Sequence, residues 1–184
     1  MDEFLEILND HSIITMSYNS SYEIKVNSFI KYFYNDPTFF SDMDIDEIFE
    51  KLNEKKFNRS IVISSIVGNE KTIVIDLPSL HLPDGLPLNS RNQHKTLMHR
   101  LSELIFINDE IKWRFIILSH KYTSFGKHNI LGGEQLLYHS HHVLDIDEDI
   151  NIIKSRNFSP KYLEKSDKLL RKIKLNDILN ETEK

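Results

Sequence analysis

The sequence predicts an α/β protein built on a mainly parallel central sheet flanked by helices. Three observations predict it. Strand-like apolar runs alternate along the chain with stretches of helical periodicity, the pattern of βαβ units. The runs are apolar without strict alternation, as strands covered on both faces are. The run Phe115, Ile116, Ile117, Leu118 also stops abruptly in polar Ser119 and His120, and open α/β sheets place their ligands where strands end this way.

The elements follow in order. Residues 2–9 read as a short helix with Phe4, Leu5 and Leu8 on one face. Residues 13–17 (IITMS) read as a buried strand, and residues 18–23 (YNSSYE) as a polar loop. A helix over 24–34 carries Val26, Phe29, Ile30 and Phe33 at helical spacing and stops before Pro37. The next helix, 42–55, has Asp44 or a neighbour as N-cap and buries Ile45, Ile48, Phe49 and Leu52. Residues 60–67 (SIVISSIV) are β-branched and strand-like, Gly68-Asn69 is a turn signal, and 71–77 (KTIVIDL) is a strand. Residues 78–89 hold three of the five prolines and read as a loop. A helix over 91–108 turns Leu97, Leu101, Leu104 and Ile105 inward. The strand at 115–118, a polar loop over 121–133 closing on Gly132-Gly133, an extended segment over 137–140, and strands at 143–146 and 151–153 complete the sheet. From Pro160 the chain reads as a charged amphipathic helix or a pair of short ones.

At 184 residues the chain is one domain in size, large enough to bury roughly 70% of its unfolded surface. With 40% hydrophobic and 28% charged residues, its composition is that of an ordinary globular protein. Its lack of cysteine excludes disulfides, thiolate zinc sites and cysteine nucleophiles, and fits an intracellular protein, cytoplasmic or nuclear. The acidic, amphipathic start MDEFLEILND does not read as a signal peptide. No run approaches the ~18 apolar residues of a membrane span, so no membrane partner is expected. A net charge of -5 argues against wholesale coating of nucleic acid while leaving room for a local basic patch.

Two strand ends bear on nucleotide chemistry. IITMS leads through a polar loop into a helix, the arrangement that builds a phosphate-binding loop. Such a loop needs glycines, whose backbone N–H groups wrap phosphate, and a Lys followed by Ser or Thr. Here the earliest glycine is Gly68, and Lys25 is followed by Val26. The motif is absent, and an ordinary strand–loop–helix is the plain reading. KTIVID delivers Asp76 to the edge of the sheet, in the form of a magnesium-binding Walker B strand or of a simple cap.

In this order the parts resemble the core of RecA-type recombinases, phage and eukaryotic members included. The resemblance spans the strand ending in Asp76, the Pro-rich loop, the helix over 91–108, the strand ending in His120, the loop closing on Gly132-Gly133, the Leu137-Tyr138-His139-Ser140 segment, the strand 143–146, and Lys154-Ser155-Arg156. His120, Tyr122 and Ser124 are similar to a His-x-Tyr-x-(Thr/Ser) pattern of phage members. The resemblance implies a RecA-like core over residues 1–160 with a degenerate phosphate loop, followed by a charged helical tail over 161–184. It makes Asp76, His120 and Lys25 remnants of a nucleotide site. It also makes Arg91, Lys121, Tyr122, Lys127, His128, Gly132, Gly133, Lys154 and Arg156 the DNA-binding set, in which charge for phosphate is mixed with an aromatic face for stacking.

The implied function is that of an accessory protein of DNA recombination or repair. It would bind single-stranded DNA, a RecA-type recombinase or another RecA-like paralogue, without ATPase activity and without a cofactor. A divergent ATPase, holding ATP and magnesium through Ser20, Ser21 and Lys25, is the enzyme alternative. A scaffold that touches no DNA is the third. His139 and His141 alternate along the expected extended segment and His142 points away, so with His120 and His128 they make no metal clip, and no metal is expected. Lys161, Lys165, Lys168, Arg171, Lys172 and Lys174 read as a solvated basic face, or as a surface for DNA or a partner.

Overall fold

The computed structural model describes residues 3–34, 36–53, 70–107, 111–124, 127–148 and 150–155. Along the chain run α1 (Glu3–Asn9), β1 (Ile13–Tyr18), α2 (Glu23–Phe33), β2 (Thr38–Phe40), α3 (Ile45–Asn53), β3 (Glu70–Asp76), α4 (Arg91–Ile107), β4 (Lys112–Ser124), β5 (Lys127–Ile130), α5 (Gly133–His139), β6 (His142–Ile146) and β7 (Ile150–Ser155). Among the described residues the strands form one sheet in the order β2-β3-β4-β1-β6-β7, with β5 attached to β4. The pairs β2–β3, β3–β4, β4–β1 and β1–β6 are parallel, whereas β6–β7 and β4–β5 are antiparallel. The fold is therefore the expected α/β class, a mostly parallel sheet with helices on both sides.

The period-2 geometry of the strands divides the core in two. Ile13, Ile73, Ile75, Phe115 and Ile117 face α3, α4 and α5. Ile14, Met16, Tyr18, Val74, Ile116, Leu118, Leu144 and Ile146 face α1 and α2. Each fully buried Ile, Leu or Phe contributes about 1.5–3 kcal/mol, so covering both faces is what makes continuous apolar strands favourable. Helix starts are set by side chains. Asp44 Oδ1 accepts the Glu47 N–H at 2.8 Å ahead of α3. Ahead of α4, Ser90 and Gln93 form a reciprocal capping box, Ser90 Oγ accepting the Gln93 N–H at 3.2 Å and Gln93 Oε1 accepting the Ser90 N–H at 2.9 Å.

Several local expectations are corrected. The strand at 115–118 extends to Ser124, and the loop expected over 121–133 is largely an antiparallel hairpin in which Lys121 pairs with Ile130 and Tyr122 with Asn129. The segment expected to be extended at 137–140 belongs to α5 up to His139. Gly132 and Gly133 take positive φ, the Gly132 carbonyl accepts the Gln135 N–H at 3.2 Å, and Leu136 is fully buried, so one helical turn wins over alternation. Tyr18 is a buried strand residue rather than loop, and a 3-10 turn at Ser20–Tyr22 replaces the open loop. On α1 the buried pair is Ile7 and Leu8, with Leu5 exposed. β2 was not foreseen. The strand expected at 60–67, the turn at Gly68-Asn69, Arg156 and the tail 161–184 lie outside the described residues.

Candidate functional site

Parallel pairing brings the C-terminal ends of β1, β3, β4 and β6 to one edge, with Tyr18 level with His120 and Ile146, and Asp76 level with Leu118. Because neighbours in register share a face, this edge carries two separate constellations.

On the α2 side stand Tyr18, His120 and Asp76. The Tyr18 and His120 rings meet edge to face with centroids 5.0 Å apart. Tyr18 Oη and His120 Nε2 are buried without a hydrogen-bond partner. Burial pushes the Asp76 carboxyl above its usual range, a hydrogen bond with Ser79 and the His120 ring oppose this, and the Glu23 and Asp42 carboxylates add to it. Burial also raises the Tyr18 phenol, with Asp76 and Glu23 contributing. The N-terminus of α2, the positive end of its dipole, follows a turn closed by Tyr22 N–H to the Asn19 carbonyl at 2.8 Å, and Glu23 occupies its first turn. Lys25 lies with Nζ 5.4 Å from the Tyr22 ring centroid. Three carboxylates, those of Asp76, Glu23 and Asp42, thus lie close to one another at this end of the sheet.

On the α5 side the pattern is different. Ser17 Oγ donates to Asp145 Oδ1 at 2.9 Å. Lys121 Nζ meets Asp145 Oδ1 at 2.9 Å and Asp147 Oδ2 at 3.5 Å, and its side chain is only 12% exposed. Ser119 Oγ donates to the Leu131 carbonyl at 2.7 Å, which fastens the hairpin to the edge. Sequence reading missed Tyr18, Ser17 and Asp145; the one signal for Asp145 was its place near the end of an apolar strand in HVLDI.

The remaining expected residues are scattered. Arg91, at the start of α4, lies 3.5 Å from Glu134 with both side chains largely exposed. Lys154 Nζ donates to the carbonyls of Leu137, Tyr138 and Ser140 at 2.8, 3.0 and 2.6 Å, closing the C-terminal end of α5, and its burial lowers its pKa. Tyr122 is half exposed on the hairpin, Lys127 and His128 lie in β5, and Gly132-Gly133 starts α5. His139 lies on α5, His141 precedes β6 and His142 is fully buried against Asp10 at 2.6 Å, so the histidines are separated by the fold. Among the described residues no group of three or more His, Asp or Glu could hold a metal ion, and no helix is long and apolar enough to cross a membrane.

No protein-family model matches the chain, and neither does any curated protein. Among solved structures it is similar to a KaiC-like protein from the hyperthermophilic archaeon Pyrococcus horikoshii OT3, with a TM-score of 0.40 and 16% identity over 80% of this chain and 80% of that one. It is also similar to a second Pyrococcus horikoshii OT3 protein, with a TM-score of 0.36 and 10% identity over 88% of this chain and 95% of that one.

Proposed function

We propose that the chain is a RecA-like accessory subunit of DNA recombination or repair that works by binding a recombinase-class partner, single-stranded DNA or both, and does not hydrolyse ATP. The observation that carries this reading is the end of β1. A phosphate cradle would present glycine amides there. The chain has instead the glycine-free turn Ser20–Tyr22, the Glu23 carboxylate in the first turn of α2 and Asp76 on the same face. A nucleotide's phosphates at this position would meet like charge. The order of the strands supports the RecA-like part of the reading, since the polar-ended β4 stands between β1 and the Asp76 strand β3. The hairpin β4–β5, with exposed Tyr122 and with Lys127 and His128 in β5, supports a DNA contact.

Two measurements test the reading. ATP turnover is expected at background in the wild type and unchanged in Asp76→Ala; turnover that disappears in that variant replaces the accessory reading with the divergent ATPase. Single-stranded DNA is titrated across a salt series. A negative salt slope that Lys127→Glu reduces supports DNA contact at the hairpin, whereas no binding removes DNA from the reading and leaves the protein partner.

A further inference from the structure

On the face of the sheet that carries α4 and α5, the two helices and β7 flank a cleft of about 580 Å³ whose lining includes Arg91, Lys95, Glu134, Leu137, Tyr138 and Lys154. Tyr138 is 79% exposed and Leu137 38%. We propose that this cleft docks an acidic peptide of a protein partner, with an apolar side chain seated against Leu137 and Tyr138 and carboxylates on Arg91 and Lys95. The proposal deepens the accessory-subunit reading by naming the chemistry of the partner.

Charge is the first argument. The chain carries a net -5, yet Arg91, Lys95 and Lys154 converge here against the single carboxylate of Glu134. Burial lowers the pKa of His139, and the neighbouring His99, Lys95 and Lys154 lower it further. The second argument is which donors are available. Lys154 Nζ already donates to three carbonyls, so it contributes field rather than a contact. Arg91 holds Glu134 only at 3.5 Å in an exposed pair, which is worth little and exchanges readily for an incoming carboxylate that its planar fork grips in two places. Lys95 is exposed. The third argument is the seat. An exposed aliphatic side chain beside an exposed tyrosine, ringed by cations, has the composition of an interface anchor with a polar rim. Nucleic acid is the weaker fit, because a strand spreads its phosphates beyond a compact cleft on an otherwise acidic protein and has no use for the aliphatic seat at Leu137.

The test uses the full chain and fluorescence anisotropy with three probes: a labelled Asp/Glu-rich peptide bearing a central Leu-Phe pair, the same peptide with Ser-Ser at that pair, and an oligothymidylate of matched charge. The Leu-Phe peptide is expected to bind more tightly than either control. Arg91→Glu with Lys95→Glu, and separately Tyr138→Ala, are each expected to weaken it about tenfold or more. All three side chains are exposed, so the thermal midpoint should stay at the wild-type value and a fall in affinity reads as loss of the site. Undetectable binding of the Leu-Phe peptide, equal binding of the Ser-Ser peptide, tighter binding of the oligothymidylate, or unchanged affinity in the variants each overturns the proposal. Failure here with ATP turnover at background rejects the docking cleft alone. Peptide binding together with Asp76-dependent turnover rejects the accessory reading alone.

Discussion

Tyr18 and His120 meet edge to face across the β1–β4 pair, and both the Tyr18 hydroxyl and His120 Nε2 are buried without a hydrogen-bond partner. A buried polar atom left unpaired costs about 1–3 kcal/mol, and both atoms lie at the edge where ligands bind in such sheets. Tyr18→Phe removes the orphan hydroxyl and keeps the ring contact. We expect its urea midpoint to be equal to or above that of the wild type, with a gain of up to about 1–2 kcal/mol. A loss of stability on this substitution would show that Tyr18 Oη is satisfied in solution.

Asp76 offers a pH-resolved version of the same argument. Burial, with Glu23 and Asp42 adding, raises its folded-state pKa above the unfolded value near 3.8. The native state then holds the proton more tightly than the unfolded chain does. The associated stability is present in full below the unfolded pKa and is lost as pH rises through the raised folded one. Asp76→Asn is neutral at every pH. It should therefore stabilise the fold at pH values above the raised folded pKa, and that advantage should vanish below the unfolded value. Urea titrations at neutral and acid pH check this; a variant no more stable at neutral pH contradicts it.

Much of this edge was legible in the sequence because apolar runs that end in polar residues mark both the strand and its ligand end. Asp76 and His120 were found that way. Tyr18 was not, because an aromatic next to Asn19, Ser20 and Ser21 reads locally as loop; only the parallel register with β4 and β6 buries it. α5 was misread for a related reason. Its seven residues are too few to display a helical period, and the left-handed conformation at Gly132, not the apolar pattern, sets its start. The partners of Lys121 were hidden altogether, since Asp145 and Asp147 are distant in sequence and meet it only after β6 is laid beside β1.

Gly132 and Gly133 look interchangeable in sequence and are not in the fold. At Gly132 (φ +83) an added Cβ would lie 2.7 Å from Leu136 Cγ, so the fully buried Leu136 would have to shift within a packed core. At Gly133 (φ +48) nothing lies within 4 Å of that position. Gly133→Ala should cost only the left-handed conformation, about 1–2 kcal/mol, and Gly133→Asn less than that. Gly132→Ala adds overpacking of about 1–3 kcal/mol to the same conformational cost. Thermal midpoints should fall in the order Gly133→Asn, Gly133→Ala, Gly132→Ala; equal losses at the two glycines would contradict the close approach of Leu136.

Lys121 separates a DNA contact from a structural one. Its ammonium is held by Asp145 at 2.9 Å and Asp147 at 3.5 Å with little exposure. Lys121→Met leaves two carboxylates without their cation, one of them in contact with Ser17. We expect a loss of about 1–3 kcal/mol in urea unfolding, since hydrogen bonds to charged groups fall in that range and the site is partly solvated. The double variant Lys121→Met/Asp145→Asn should recover part of that loss, because the unpaired carboxylate is removed with its partner. A lysine that met a phosphate would behave otherwise: its removal would leave stability nearly unchanged and reduce the salt slope of any single-strand DNA binding by about 1. Since both acceptors come from this chain's own β6 and the residues just after it, stability should move and the salt slope should not; if the hairpin meets single-stranded DNA as proposed, Lys127→Met should lower the salt slope instead.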